Sequence, residues 1–139
     1  MRGVVRLAVL MLLLGLFLPS QAANVQIEEY PPKKPAKKLK VRLTAYWCGQ
    51  DPDTSRFKSS TGYTLKSGRS CAVDPKIIPY GSTVVVEGKE FKAIDTGTAV
   101  IAKKASRGRL PVVDLFFKTK SQAMVALNSM PTHAWVEIK

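Results

Sequence analysis

The chain has 139 residues, a formal net charge of +12, one histidine and two cysteines. This length predicts one domain with a small hydrophobic core. A single histidine and the lack of paired ligand spacings argue against a metal site, and we expect no cofactor. Specific nucleic-acid binding is not expected either, because aromatic residues do not interleave with the basic ones.

The N-terminal segment has the three-part pattern of a secretory signal peptide. Arg2 and Arg6 precede an apolar run at 7–19, and small residues suited to cleavage follow at 20–23. We therefore expect a signal peptide at 1–22 and a secreted or periplasmic location in the cell envelope. The run is shorter than the ~20 residues of a membrane span, so no stable span is expected after processing. An uncleaved anchor is the alternative.

A basic, proline-rich linker is expected at 23–39, where the sequence contains PPKKPAKK. Such composition is typical of extended, disordered segments. The linker is either a solvated tether or an electrostatic arm for an anionic polymer. In an exported protein that polymer would come from the envelope.

The remainder, 40–139, is predicted to be mainly β: a small barrel of about six strands with one short helix. Between the first two strands, 49–68 is polar and rich in turn residues, and long ordered loops tend to be functional. Gly88 and Lys89 mark a hairpin turn. The helix is expected at 121–127, and the strands at 40–47, from Cys71 through Asp74, at 83–87, 91–96, 99–103, 112–117 and 134–138.

The two cysteines lie at opposite ends of the long loop. Cys48 follows the first predicted strand, and Cys71 begins the strand that carries Asp74. These strands are adjacent in some small barrels, and export permits a disulfide. The residues are therefore either a disulfide pair or two buried thiols.

Three aspartates lie in similar apolar settings: Asp74 in AVDPKIIPYGS, Asp95 in AIDTGTAV and Asp114 in VVDLFF. Apolar neighbours predict half-buried positions at strand ends, where an ionised carboxylate is costly without a partner. One such aspartate is usually structural, but three suggest a shared site. Like charges gathered there would raise at least one pKa, so that one carboxyl group stays protonated and acts as an acid.

These motifs resemble the 3D domain, a family named for three aspartates. It occurs in cell-wall-associated proteins and at the core of the MltA-type lytic transglycosylases. The resemblance covers 40–139, and its most specific part is AVDPKIIPYGSTVVVEG; the segments RLTAYW and AWVEIK resemble the two ends of the family. It implies a double-psi β-barrel with a substrate groove across one face.

The resemblance also implies an activity, that of a lytic transglycosylase whose partner is the peptidoglycan glycan strand. Enzymes of this class use one carboxyl group, which protonates the bond between N-acetylmuramic acid and N-acetylglucosamine. The same group then removes a proton from the muramyl C6 hydroxyl, which gives a 1,6-anhydro sugar. A non-catalytic glycan-binding module with an expansin-like groove is the alternative. A third possible function is that of a basic exported protein that binds nucleic acid or lipid.

The resemblance places the general acid at Asp114, since VDL matches a hydrophobic-Asp-hydrophobic strand motif. Asp95 would then tune and orient the acid. Asp74 completes the trio, although Asp-Pro beside a turn is typical of a structural cap. For each aspartate the alternative to a catalytic role is a structural one, in which the side chain forms a stabilising hydrogen bond. The residues expected to contact the substrate are Thr44, Tyr46, Thr96 and Gly97. The alternative is that they are ordinary surface residues of the barrel.

The sequence differs from the family in several places. Val112 and Val113 stand where relatives often carry His and Phe, one glycine rather than two follows the second aspartate, and KKASRGR lengthens the segment before the third. No cysteine marks the cleavage region, unlike the MltA lipoproteins. Asp51 is a candidate second carboxylate, and His133 is expected to be structural or at the surface.

Overall fold

A computed structural model describes residues 36–139. The predicted signal peptide and most of the predicted linker lie outside this range. Among residues 36–139 no helix is long and apolar enough to cross a bilayer. The helical elements are α1 (Pro52–Ser55), a 3₁₀ segment (Ile101–Ser106) and α2 (Lys120–Ser129). The strands are β1 (Lys37–Trp47), β2 (Ser70–Ala72), β3 (Thr83–Val86), β4 (Lys89–Asp95), β5 (Val112–Phe117) and β6 (His133–Ile138).

The six strands close into a barrel in the order β1-β5-β2-β4-β3-β6. The pairs β1–β5 and β2–β4 are parallel, and the other neighbours are antiparallel. The predicted mainly-β, six-stranded barrel is therefore confirmed, and its parallel crossings are consistent with the double-psi arrangement. β1 begins at Lys37, inside the segment expected to be linker. The hairpin turn lies one residue earlier than predicted, because Lys89 already begins β4. Glu87 and Gly88 form the turn, both with positive φ, as two-residue turns between twisted strands require.

Alternation along the strands divides their side chains between the barrel interior and an outer face. Leu43 and Leu115 belong to the interior core, whereas Val112 and Phe116 belong to a second cluster on the outer face. That cluster is covered by the long loop between β1 and β2, from which Phe57 packs edge-on against Phe116 at 6.1 Å between ring centroids. The outer face is thus partly covered by this loop and is not fully exposed to solvent.

The prediction of a strand at 99–103 is wrong, because these residues form turns and the start of the 3₁₀ segment. Ala102 and Lys103 have φ angles of 56° and 58°, which no strand accommodates. The backbone amide of Ala102 donates to the Asp74 carboxylate at 3.1 Å instead of to a neighbouring strand. A four-residue apolar run such as AVIA does not distinguish a strand from a turn. β2 also ends at Ala72, so Asp74 lies beyond its strand.

Candidate functional site

Two of the three aspartates share one row of residues across the outer face. Asp114 of β5 pairs with Thr44 of β1 on one side and with Ala72 of β2 on the other. Ala72 in turn pairs with Asp95 of β4. Adjacent strands lie ~4.8 Å apart, so the Cα atoms of the two aspartates are separated by about 10 Å. The small side chain of Ala72 leaves the space between them open.

A register shift between β2 and β4 brings Asp95 to this row. Cys71 pairs with Ala93, but the next residue, Ala72, pairs with Asp95, so Ile94 is an extra residue in β4. In a regular strand Asp95 would share the interior face with Ala93. The bulge turns its side chain outward, as bulges beside functional sites commonly do.

The row opens into a cleft of about 290 Å³. Its floor contains Ala72, Asp95 and Asp114, and its walls come from α1, the long loop and the residues after β4. Asp74 does not line it. The full set of lining residues is Tyr46, Gln50, Asp51, Asp53, Thr54, Lys58, Ser60, Ala72, Asp95, Thr96, Gly97, Thr98, Ala99, Val100 and Asp114.

Asp114 has the environment of an acid. Its side chain is 8% exposed, and one carboxylate oxygen accepts a hydrogen bond from Thr44 Oγ1 at 2.7 Å. Burial raises the pKa of Asp114 to about 6; the charge of Asp95 adds to the increase and the Thr44 bond opposes it. A carboxyl group with this pKa carries its proton in an appreciable fraction of molecules near neutral pH, and can give it to a substrate.

Asp95 is held as an acceptor by three donors. Its Oδ2 accepts from the Tyr46 hydroxyl at 2.6 Å, and its Oδ1 accepts from the backbone amides of Ser60 at 2.7 Å and Thr96 at 2.9 Å. Burial, reinforced by Asp95, raises the pKa of Tyr46, so the phenol stays neutral and keeps donating. These bonds fix the orientation of the Asp95 carboxylate beside the cleft.

Asp74 is bonded in a different way. Its two oxygens accept from the backbone amides of Lys76 at 3.0 Å and Ala102 at 3.1 Å. Its own carbonyl accepts from the amides of Ile77 and Ile78. The side chain therefore ties the Asp-Pro turn to the 3₁₀ segment, which is the arrangement of a structural cap.

The four expected substrate contacts have different environments. Thr96 and Gly97 line the cleft, and Thr96 Oγ1 is buried without a hydrogen-bond partner among the described residues. Tyr46 also lines it, but its ring packs on Phe116 at 5.2 Å between centroids and its hydroxyl is bonded to Asp95. Tyr46 is thus oriented toward a carboxylate rather than free to stack on a sugar. Thr44 contacts Asp114 instead of lining the cleft.

Ser60 orients Asp95 through its backbone amide, and no motif in the sequence predicted this role. The only signal was the length and polarity of its loop. Asp51 does line the cleft, but one of its carboxylate oxygens accepts from Thr54 N and caps α1. His133 is exposed at the start of β6. In residues 36–139 no three acidic, histidine or cysteine side chains are grouped so as to hold a metal ion.

Of the two alternatives for the cysteines, the structure has the free thiols, with Cys71 buried and Cys48 half-buried. Cys71 belongs to the interior core, whereas Cys48 packs against the outer cluster. The sheet therefore separates the two sulfurs. The expected adjacency of the strands is also not found, because β5 lies between β1, which Cys48 follows, and β2, which carries Cys71. Burial raises the pKa of the Cys71 thiol, so it behaves as an inert core residue.

Comparison with known proteins gives two curated relatives from Bacillus subtilis. The "Putative cell wall shaping protein YabE" is 41% identical over 69 residues, which cover 47% of this chain and 15% of that protein. The "Cell wall-binding protein YocH" is 38% identical over 92 residues, which cover 63% of this chain and 29% of that protein. The chain thus spans less than a third of either relative.

The profile of the family described as "3D domain" matches residues 69–134. This range contains β2 to β5 and all three aspartates, whereas β1, with Thr44 and Tyr46, precedes it. The match is therefore to the part of the barrel that supplies both carboxylates of the row and the turn tied by Asp74. On this match, residues 69–134 of the chain correspond to a 3D domain.

Proposed function

We propose that this protein acts on cell-wall peptidoglycan as a lytic transglycosylase, with Asp114 as its acid and base. The observation that carries the proposal is the contrast within one cleft between Asp114, whose pKa is raised to about 6, and Asp95, whose carboxylate is fixed by three donors. In many enzymes two carboxyl groups lie in different environments, so that one acts as the acid and the other stabilises charge.

In the first step, protonated Asp114 gives its proton to the glycosidic oxygen, and the bond from that oxygen to the muramyl C1 breaks. Positive charge develops on the sugar ring, and the Asp95 carboxylate stabilises it through space. In the second step the muramyl C6 oxygen bonds to C1 while its proton passes to the Asp114 carboxylate. The anhydro product forms, the acid is regenerated, and no water is consumed.

The hydrogen bonds favour this use of the substrate hydroxyl over a second carboxylate. Both oxygens of Asp95 already accept from protein donors, which makes them weaker as a nucleophile or as a base for water. One of the two Asp51 oxygens is likewise engaged in capping α1. A glycosidase of the ordinary type needs two available carboxyl groups, whereas the transglycosylase reaction needs one.

The relatives support the choice of substrate. Both carry names that refer to the cell wall, one to shaping it and one to binding it. We extend this association to the present chain, with peptidoglycan glycan strands as partner and the cell envelope as location. An exported position also fits the sequence pattern of the first 22 residues.

A non-catalytic glycan-binding module is the second candidate. The relative with the longer match is named a cell wall-binding protein. The cleft also offers binding groups that need no chemistry, since Thr96 Oγ1 is buried there without a partner among the described residues. In that case the same cleft would hold a glycan without cutting it.

Incubating the purified protein with purified peptidoglycan and analysing the soluble products by mass distinguishes these functions. Anhydro-muropeptides are the expected result. Hydrated reducing ends would instead show a hydrolase that recruits a second carboxylate. Retention on sedimented peptidoglycan with no released fragments would establish the binding module. Asp114→Asn is the matched control, since the amide preserves shape but has no carboxylic proton to give.

A further inference from the structure

A second and larger groove lies on the other side of the loop tip that borders the cleft. This tip, the 58–64 hairpin, is closed by a bridge between Lys58 and Thr64. Ser60 faces the cleft, while Thr61 borders the groove and donates its hydroxyl to the Ile94 carbonyl. The groove has a volume of about 870 Å³ and is lined by Thr61, Tyr63, Thr64, Lys66, Arg69, Ser70, Tyr80, Gly81, Thr83, Glu90, Phe91, Lys92 and Ile94.

The groove follows the same outer face as the cleft. Lys92 of β4 pairs with Ser70 of β2 and with Thr83 of β3, which makes a second row beside the one that holds Asp95. Ser70 precedes Ala72 by two positions on β2, and two strand residues span ~7 Å. A polymer held in the groove can therefore continue past the hairpin toward the cleft.

Three cations line the groove: Lys66, Arg69 and Lys92. Within residues 36–139 the one ion pair joins Lys139 to Glu90 at 3.6 Å, so none of the three cations is paired with a carboxylate there, and the single acid of the groove is partly neutralised. The Lys92 ammonium donates to the Gly81 carbonyl at 2.8 Å and to Thr83 Oγ1 at 3.1 Å, which holds it in place. The groove therefore presents net positive charge at a fixed position.

Two tyrosines accompany these cations. Tyr63 is 66% exposed and Tyr80 is 41% exposed, and both rings line the groove. An exposed tyrosine ring offers a rigid apolar face together with a hydroxyl, at little cost in conformational entropy. Such rings suit the apolar face of a sugar, while lysine and arginine suit carboxylate or phosphate.

We propose that this groove binds a saccharide that carries anionic groups, with Tyr63 and Tyr80 against sugar rings and the three cations against carboxylate or phosphate. In a cell wall the anions have two sources: carboxylates of peptidoglycan itself, and phosphodiester polymers attached to it. The choice of a wall saccharide rests on the proposed cell-wall function, but the site is separate from the cleft, and its binding does not depend on catalysis by Asp114.

Sedimentation with three forms of insoluble wall tests the proposal. These are intact walls bearing phosphodiester polymers, walls stripped of those polymers with hydrofluoric acid, and stripped walls whose carboxylates have been amidated. The test variants are Tyr63→Ala/Tyr80→Ala and a charge variant with glutamine at the three groove cations. The matched controls are Trp135→Ala, which removes a 66% exposed aromatic outside the groove, and a variant with glutamine at three exposed lysines elsewhere, Lys76, Lys104 and Lys118.

We expect the charge variant to bind intact walls about tenfold more weakly than its control, because exposed pairs each contribute modestly. Loss of aromatic contact area should weaken binding about fivefold. The tyrosine variant leaves the backbone bonds of the groove intact, so it tests the site even if the Lys92 substitution unfolds the chain. Lost binding on stripping identifies phosphate as the anion, and loss only on amidation identifies carboxylate.

Equal binding by the variants and their controls would overturn the proposal. So would equally tight binding of single-stranded DNA, since that would show a general polyanion surface without recognition of sugar. The assay measures retention on the wall and not cleavage. A protein that binds through the groove but does not cut is therefore distinguished from a protein that cuts but does not bind through the groove.

Discussion

The cleft at β4 and β5 and the turn after β2 contain carboxylates with equal burial and different partners. Asp114 and Asp74 are each 8% exposed. Asp74 accepts from two backbone amides, whereas Asp114 accepts from one threonine hydroxyl and lies near the charge of Asp95. Burial alone therefore does not determine what a carboxylate does. At Asp74 two backbone amides tie the carboxylate to a turn, whereas at Asp114 burial and the charge of Asp95 raise the pKa.

Asp114→Asn should produce the largest effect. The amide keeps the shape of the side chain but cannot give a carboxylic proton, so peptidoglycan turnover should fall ~10²- to 10⁴-fold. Release of anhydro-muropeptides and the melting temperature should be measured together. Asp74→Asn is the matched control and should retain most of its turnover per folded molecule. An Asp114→Asn protein that melts normally and still cuts well would shift the acid to Asp95.

The pH dependence should show the proton on Asp114 directly. Its pKa rises from 3.8 to about 6 on folding. The protonated form is thus favoured by the fold, and this stabilisation is complete below pH 3.8 and lost as the pH rises through about 6. Each pKa unit corresponds to ~1.4 kcal/mol, so the loss is about 3 kcal/mol. Turnover should decline over the same rise, because the acid loses its proton.

Urea unfolding of the wild type and of Asp114→Asn from pH 4 to 8 measures that loss. At each pH the unfolding free energy of the variant is subtracted from that of the wild type, and this difference should change by the amount given above. The asparagine variant should lack this component. Parallel stability curves for the two proteins would contradict a raised pKa at Asp114.

Asp74→Asn should affect stability more than chemistry. One of the two amides, from Lys76 or Ala102, would then face an NH₂ group instead of an acceptor. Because both bonds are only partly buried, losing one should cost ~1 to 2 kcal/mol, which urea unfolding resolves. If instead the free energy of unfolding is unchanged and turnover falls as steeply as in Asp114→Asn, then Asp74 belongs to the reaction and the contrast between the two sites fails.

Tyr46→Phe should produce the smallest effect. The ring keeps its packing on Phe116, but Asp95 loses one of its three donors. We expect a cost of ~1 kcal/mol in unfolding free energy and a reduced turnover, since Asp95 is then less firmly oriented. Trp135→Phe, at a 66% exposed position outside both the cleft and the groove, is the control and should leave both quantities unchanged. Full turnover in Tyr46→Phe would mean that orientation of Asp95 is immaterial.

The sequence predicted those features that depend on near neighbours along the chain. The strand expected at 112–117 is β5 with the same limits, and the expected helix and closing strand differ from α2 and β6 by one or two residues. Alternation of apolar residues is a local pattern that follows the two faces of a strand, so it can be recognised without knowledge of the fold. The apolar flanks of the three aspartates indicated their burial in the same way.

The assembly of the site depends on contacts that are distant in sequence. Thr44 and Asp114 are 70 positions apart, Tyr46 and Asp95 are 49 apart, and Ser60 reaches Asp95 across 35. The outward turn of Asp95 requires a shift in pairing between two strands, which a single strand's pattern does not reveal. The apolar residues therefore determined that a small barrel forms and that the aspartates are buried in it. Strand pairing and loop packing determined which donors each carboxylate receives, and hence that Asp114 and Asp95 share a cleft while Asp74 closes a turn.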